Sequence, residues 1–444
     1  MKKYFDLSIF KSLISLSIPI IFSNIMQTVY QLIDTFWVGK LGKNAVATIS
    51  ISYPILFLLL STGIGIAIAG TILVAQYCGK KDLKMVNYVS EQTLFAVFII
   101  AIIIAIAGYI FSPEFITFMG ADKNIFNEAV SYLRLSFIGS IFIYIFLVFQ
   151  SLLQGVKIVR PPAMIVFLTV ILNLILDPLF IFGFKMGVNG AAISTILTQF
   201  IAAIIGLNFL FSGKFIIKIS YKKFLPDFKL IKNMIKLGFP TSIEYITRAF
   251  VMALITAIVA NFGTVALAAY GIGIRLFTFV VIIGVGIANA TSTLVGHSFG
   301  KKNIFEAQKI AISSIFLSII VFFSIAVIFF IFANNIASIF ISKDIKVLKL
   351  TAKFVRIISL GFVFLGIQIS LNGIFRGSGN TEIGMLITII TMIALRLPLA
   401  YFLSQFILNS PLGVWMAFPI SNFIATSSGL IIFFKGKWKD KRII

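Results

Sequence analysis

Two aspartates stand where an acid is hardest to explain by architecture alone. Asp34 lies in MQTVYQLIDTFWVG and Asp177 in ILNLILDPLFIFG, each inside a long apolar run. A charge at the centre of a bilayer costs ~3 kcal/mol or more, so an ionisable residue in a spanning segment is a functional candidate by default. Two such carboxyl groups can attract a cation when ionised and lose that attraction when protonated. Polar residues accompany them at helical spacing. Asn173 precedes Asp177 by four residues and Tyr30 precedes Asp34 by four, so each pair shares a helix face. Pro178 cannot donate a backbone hydrogen bond and frees a carbonyl beside the second acid.

The elements that must position these residues are membrane helices. Of 444 residues, 60% are hydrophobic and only 11% charged, too few charges to dress a soluble surface. Apolar runs such as 93–110, 314–332 and 411–434 approach the ~20 residues that cross a bilayer as a helix. They are continuous rather than alternating, which excludes a β-barrel. The net charge of +23 would suggest nucleic acid in a soluble chain. Here the Lys and Arg residues gather in loops, where they set topology and meet anionic lipid. A single cysteine, Cys78, excludes an internal disulfide and a multi-cysteine metal site, and His297 alone excludes a histidine cluster. Lys2, Lys3 and Lys11 precede an apolar segment with no small-residue cleavage site, which predicts a retained first helix.

Charge clusters, Gly and Pro punctuate twelve expected helices: 12–38, 46–77, 90–111, 127–154, 161–183 and 187–211, then 232–261, 265–298, 306–331, 347–375, 383–407 and 411–434. One set of loops is about three times richer in Lys and Arg, Arg376 included, and is expected to face the cytoplasm with both termini. The chain also repeats itself. Pro19 recurs as Pro240 (240 − 19 = 221), and Gly42/Gly263 and Gly79/Gly300 keep that offset. ILDPLFIF at 175–182 resembles LRLPLAYF at 395–402, with the offset reduced to 220. The expected fold is therefore all-α, with six-helix bundles at 1–211 and 232–444 joined by a linker at 212–231. Six spans per copy keep both copies the same way up, related by a pseudo-two-fold along the membrane normal.

Depth joins the polar residues. Asp34 lies a turn or so from the outer end of the first helix and Asp177 at a similar level on the fifth. Thr195, about two turns into the sixth, returns to that level. The expected site is Asp34, Asn173, Asp177 and Thr195, with Tyr30 beside it. The repeat carries Ile255 and Leu397 where the acids stand, so the two copies have diverged chemically. The second copy holds Glu244 and Arg248 at i, i+4, expected to pair. It also holds Arg275 in AAYGIGIRLF without a local counter-charge, and Arg356 and Arg396, expected to snorkel to an interface. His297 is expected at an interface too. No enzyme pattern survives. GIGIAIAG at 63–70 lies within a span and lacks the strand–turn–helix context of a dinucleotide site, and there is no phosphate-binding loop.

These residues resemble the multidrug and toxic compound extrusion (MATE) transporters, specifically the DinF-like prokaryotic branch. The resemblance runs over essentially the whole chain. It rests on Pro19, Gln27, Asp34 and Gly42, on NLILDP at 173–178, ALAAYGIGIR at 266–275 and GHSFGKKN at 296–303. It implies two six-helix bundles and alternating access, with export of cationic amphipathic compounds in exchange for protons or sodium ions. It also implies a coupling site at Asp34, Asn173, Asp177 and Thr195. Sodium would be held by these four with the carbonyl freed by Pro178. The chain departs from the other bacterial branch, whose functional glutamate position is Arg248 here. Tyr30, Gln27, Glu244, Arg248 and Arg275 are candidates for a substrate cleft. No cofactor is implied beyond the coupling ion. The expected partners are a small cationic substrate and membrane lipid, with no nucleic acid and no obligate protein partner, in the plasma membrane. A flippase for a lipid-linked or anionic amphipathic substrate is the competing reading, kept open by Arg248 and Arg275.

Overall fold

A computed structural model describes residues 6–220, 225–341, 344–441 and 443, and no strand occurs among them. The first half of the chain forms α1 (Leu7–Gly39), α2 (Lys43–Gly79), α3 (Leu83–Ile110), α4 (Ser112–Phe118), α5 (Lys123–Gly155), α6 (Arg160–Pro178) and α7 (Val188–Ser212). The second half forms α8 (Phe228–Ala260), α9 (Thr264–Gly300), α10 (Ile304–Ile331), α11 (Ala333–Phe340), α12 (Ile345–Ser359), α13 (Phe362–Gly377), α14 (Thr381–Ile389), α15 (Leu397–Phe402) and α16 (Pro411–Lys435). Among the described residues, eleven spans are long and apolar enough to cross a bilayer, and the bent pair α12–α13 makes a twelfth. The chain is a multi-pass α-helical membrane protein.

The duplication is visible element by element. α1 and α8 both have 33 residues, α2 and α9 both 37, α3 and α10 both 28. The turns repeat as well. Gly42 and Gly263, with φ of 105° and 88°, take backbone shapes that favour glycine just before α2 and α9. Asp82 caps α3 by accepting from the Met85 amide, and Asn303 caps α10 by accepting from that of Glu306. Gly63 and Gly65 of α2 recur as Gly284 and Gly286 of α9 (284 − 63 = 221). A Cβ on Gly63 would fall 1.8 Å from Tyr144 of α5, so the missing side chain lets α2 and α5 close on each other.

The tenth span differs from expectation. It is two helices bent by 53° between Ser359 and Phe362 rather than one. Gly361 sits in the break against Pro419 of α16, where a Cβ would fall 2.7 Å from the proline Cα. The corresponding α5 runs unbroken from Lys123 to Gly155. Short helices α4 and α11 link spans where loops were expected.

By packing, the chain divides into Phe22–Ser242 and a second unit made of residues up to Ile21 with those from Ile243 onward. Both divisions fall a few residues past Pro19 and Pro240, inside α1 and α8, whereas the chain-order division was expected at 212–231. Small residues mark both places. Gly65 of α2 admits Gly238 and Ser242 of α8 into the first unit, and Gly286 of α9 admits Ile21 of α1 into the second.

Candidate functional site

The first unit brings the expected acids together. α1 presents Asp34 and α6 presents Asn173 and Asp177, one turn apart on one face. The Asn173 Nδ2 donates to Asp34 Oδ1 at 2.9 Å and to Asp177 Oδ1 at 2.8 Å. One amide thus bridges two carboxyl groups. Asn173 and Asp177 are fully buried, while Asp34 keeps partial exposure. Asp177 Oδ2 and Asn173 Oδ1 are buried without a hydrogen bond of ordinary geometry, and the Ser194 hydroxyl, equally unpartnered, lies beside Asp177. The Asp177 and Asn173 oxygens are acceptors, the atom type that a proton donor or a hard cation would satisfy.

α7 supplies the hydroxyls. The Tyr30 OH donates to Thr195 Oγ1 at 3.2 Å and shares a 2.7 Å hydrogen bond with Thr198 Oγ1. α7 reaches this depth because α6 does not end at Pro178. A π turn, Leu179–Gly183, follows it, and Lys185 and Gly187 at φ of 56° and 57° reverse the chain. Gly190 then lies against Phe180, whose carbonyl carbon would be 2.7 Å from an added Cβ. An apolar group of Val38, Ala45, Ile181, Val188 and Ala191, with Trp37, Ile49 and Tyr132 packed on it, covers the neighbouring end of the unit.

The second unit has a different polar centre. Glu244 of α8 is almost fully buried. It accepts from Arg248 Nη2 at 2.8 Å and Asn372 Nδ2 at 3.1 Å on Oε1, and from Arg376 Nη2 at 2.7 Å on Oε2. The expected Glu244–Arg248 pair is present, but Arg376 is not the loop residue that the charge count made it. It lies in the last turn of α13, drawn inward by the carboxylate. Arg396 likewise does not snorkel. It is 2% exposed, donates from Nε to Ser421 Oγ and from Nη2 to Asn422 Oδ1, and stacks 4.7 Å from the Phe418 ring. His297 is buried in the last turn of α9.

Of the other sequence candidates, Gln27 is exposed, with a 3.5 Å contact from its Nε2 to Gln150 Oε1, and does not join the aspartates. Arg275 is exposed on α9 with no ion pair among the described residues. Sequence reasoning missed Thr198, although its spacing of three from Thr195 placed it on the same face of α7. It also missed Tyr132 of α5, which lies within electrostatic range of both aspartates and which no pattern in the sequence singled out.

Eleven or twelve apolar spans among the described residues, duplicated between the halves and carrying buried ionisable clusters, are the architecture of a membrane transporter. The chain belongs to the MatE family, whose model matches residues 19–179 and 240–402, one segment per repeat. It is 26% identical to the probable multidrug resistance protein YoeA of Bacillus subtilis, covering 98% of this chain and 96% of that one. It is 28% identical to the probable multidrug resistance protein NorM of Thermotoga maritima, covering 98% and 94%. A crystal structure of MATE in complex with MaL6 shares the fold, with a TM-score of 0.93 at 21% identity over 98% of both chains.

Proposed function

We propose that this chain exports amphipathic organic cations across the plasma membrane in exchange for protons or sodium ions, as a DinF-like member of its family. The observation that carries the reading is the Asn173 amide bridging Asp34 and Asp177 in a buried site with two unmatched acceptor oxygens. The names of the relatives, probable multidrug resistance proteins, support drug export, and the cationic class rests on the two aspartates. Both termini face the cytoplasm on this reading, following the basic loops.

The carboxyl groups act as a switch between two occupants. Ionised, they attract a cation. A proton on either removes a charge and gives the unmatched Asp177 Oδ2 a hydrogen to share. A sodium ion would instead take oxygens from Asp34, Asp177, Asn173 and Thr195. A ligand shifts a conformational equilibrium only by its different affinity for the two states. The charge on Asp34 and Asp177 supplies that difference in an alternating-access cycle, with α1 repacking beyond Pro19. The test is efflux of a fluorescent organic cation from proteoliposomes under an imposed proton or sodium gradient. Asp34→Asn and Asp177→Asn should each abolish gradient-driven efflux while the protein stays folded in the membrane. Wild-type efflux in both variants would eliminate the mechanism.

A further inference from the structure

The interior of the second unit carries surplus positive charge. Arg248, Arg376 and Arg396 are set against Glu244, three guanidiniums to one carboxylate. The other acids of that half, Glu306, Asp344, Glu382 and Asp440, all stand at helix ends or in the tail. Glu244 is already shared between Arg248 and Arg376, so Arg396 has no carboxylate partner. Its hydrogen bonds go to neutral groups, Ser421 and Asn422, and Nη1 faces the Met392 sulfur at 3.3 Å. A buried charge compensated only by neutral groups is costly, and the usual remedy is an opposite charge at bonding distance.

The geometry says what that opposite charge would be. The Phe418 ring covers one face of the Arg396 guanidinium and fixes its plane. A guanidinium fixed in this way is suited to a planar oxyanion approached edge-on with two parallel N–H···O bonds. The Nη1 edge is the replaceable one, since a thioether is a weak acceptor and a carboxylate oxygen a strong one. Arg248 and Tyr270 lie within electrostatic range of Arg396. The Tyr270 hydroxyl is buried beside Thr256 without a hydrogen bond of ordinary geometry, and the Arg248 side chain keeps 25% exposure. The surroundings are aromatic, with the Tyr270 ring edge-on to Phe354 and Phe354 edge-on to Trp415. From these observations we propose that the second unit is a binding site for the carboxylate of an aromatic organic acid, held by Arg396 with Arg248 and the Tyr270 hydroxyl. The site shares no residue with Asp34 and Asp177, and its occupancy does not depend on cation export.

The test uses the full-length purified protein in detergent, with 1-naphthoate as probe and thermal unfolding as readout. Wild type should be stabilised saturably by 1-naphthoate, and so should the Asp34→Asn/Asp177→Asn double variant. The neutral amide, 1-naphthamide, should give no shift. Arg396→Gln can still meet Ser421 and Asn422 through its amide and should lose the naphthoate shift. Should that variant not fold, Arg248→Gln is the second probe and should weaken binding about tenfold through loss of one charge-assisted hydrogen bond. Equal shifts from naphthoate and naphthamide would overturn the proposal. So would a shift from sodium chloride as large as that from naphthoate, which would mark a simple halide site. An undiminished naphthoate response in Arg396→Gln, or in Arg248→Gln where the first variant fails to fold, would overturn it too.

Discussion

Replacing Glu244 by Gln tests whether the second unit is held together by one carboxylate. The carboxylate oxygens accept from two guanidiniums at 2.8 and 2.7 Å, and the side chains of Glu244 and Arg376 are 3% and 8% exposed. Glutamine is nearly isosteric but neutral, so Arg376 is left as a buried charge without a partner. Removing one partner of a buried pair typically costs ~3–5 kcal/mol. Arg248 adds less, because its partial exposure lets the long side chain turn to a more polar environment. The Arg376 Nε is already buried without a partner, and the neutral Tyr245 side chain beside the guanidinium does not replace the lost charge. Over a helical unit of this size, such a loss lowers the melting temperature by roughly 10 °C. Replacing both members, Glu244→Leu with Arg376→Met, removes the charge together with its partner and should cost much less than the sum of the single changes. The assay is a double-mutant thermal cycle on purified protein, with monodispersity followed by size exclusion. A Glu244→Gln protein within ~1 kcal/mol of wild type, or an additive cycle, would refute the argument.

Two glycines give a paired packing test. Gly190→Ala places a methyl 2.7 Å from the Phe180 carbonyl carbon, which should cost ~1–3 kcal/mol by overpacking. Gly271→Ala, with nothing within 4 Å of its Cβ, should be neutral or stabilising by up to ~1 kcal/mol through helix propensity; thermal melting compares the two. Gln92 of α3 donates to Leu225 O at 2.8 Å and accepts from Asp227 N at 2.9 Å, so Gln92→Ala should speed proteolysis of the linker between α7 and α8. Asp227 lies before α8, where the Leu230 amide and the Tyr88 hydroxyl hold its carboxyl below the ordinary 3.8. Its contribution to linker docking is full above that value and disappears as the pH falls through the lowered one. Protease protection should therefore persist from neutral pH to about 4 and fall only below it, and Asp227→Asn should abolish that acid-dependent step.

The spans and the repeat were legible because the bilayer imposes a coarse rule: long apolar runs, interrupted by charge and Gly. The Asp34–Asn173–Asp177 cluster was legible because it rests on helical spacing and depth, which a straight helix preserves. What was hidden depends on which partner a side chain finds. Arg376 sits beside Gly377 and Gly379 and looks like a loop cation, yet Glu244 lies 132 residues away in sequence and draws it inward. Arg396 is two residues before Pro398, at the close of a π stretch, Ile390–Arg396, that turns its side chain toward α16. No hydropathy pattern signals that widening of the helix. The break at Ser359–Phe362 was hidden for the same reason, since Gly361 recurs as Gly139 in α5, which does not break.

The two copies therefore share a scaffold and oppose each other in charge. At the positions of Asp34 and Asp177 the second copy has Ile255, fully buried, and Leu397. A carboxylate at 255 would not recreate the cation site, because α8 already carries Arg248 two turns away and the bundle interior holds Arg376 and Arg396. An acid placed there would be drawn into an ion pair, as Glu244 is, and a neutralised acid has little affinity left for a cation. In the first unit the partner of both acids is a neutral amide, which orients the carboxyl groups without cancelling their charge. On the proposed reading, that separation of sign lets one duplicated fold hold a cation switch in one half and an anion site in the other.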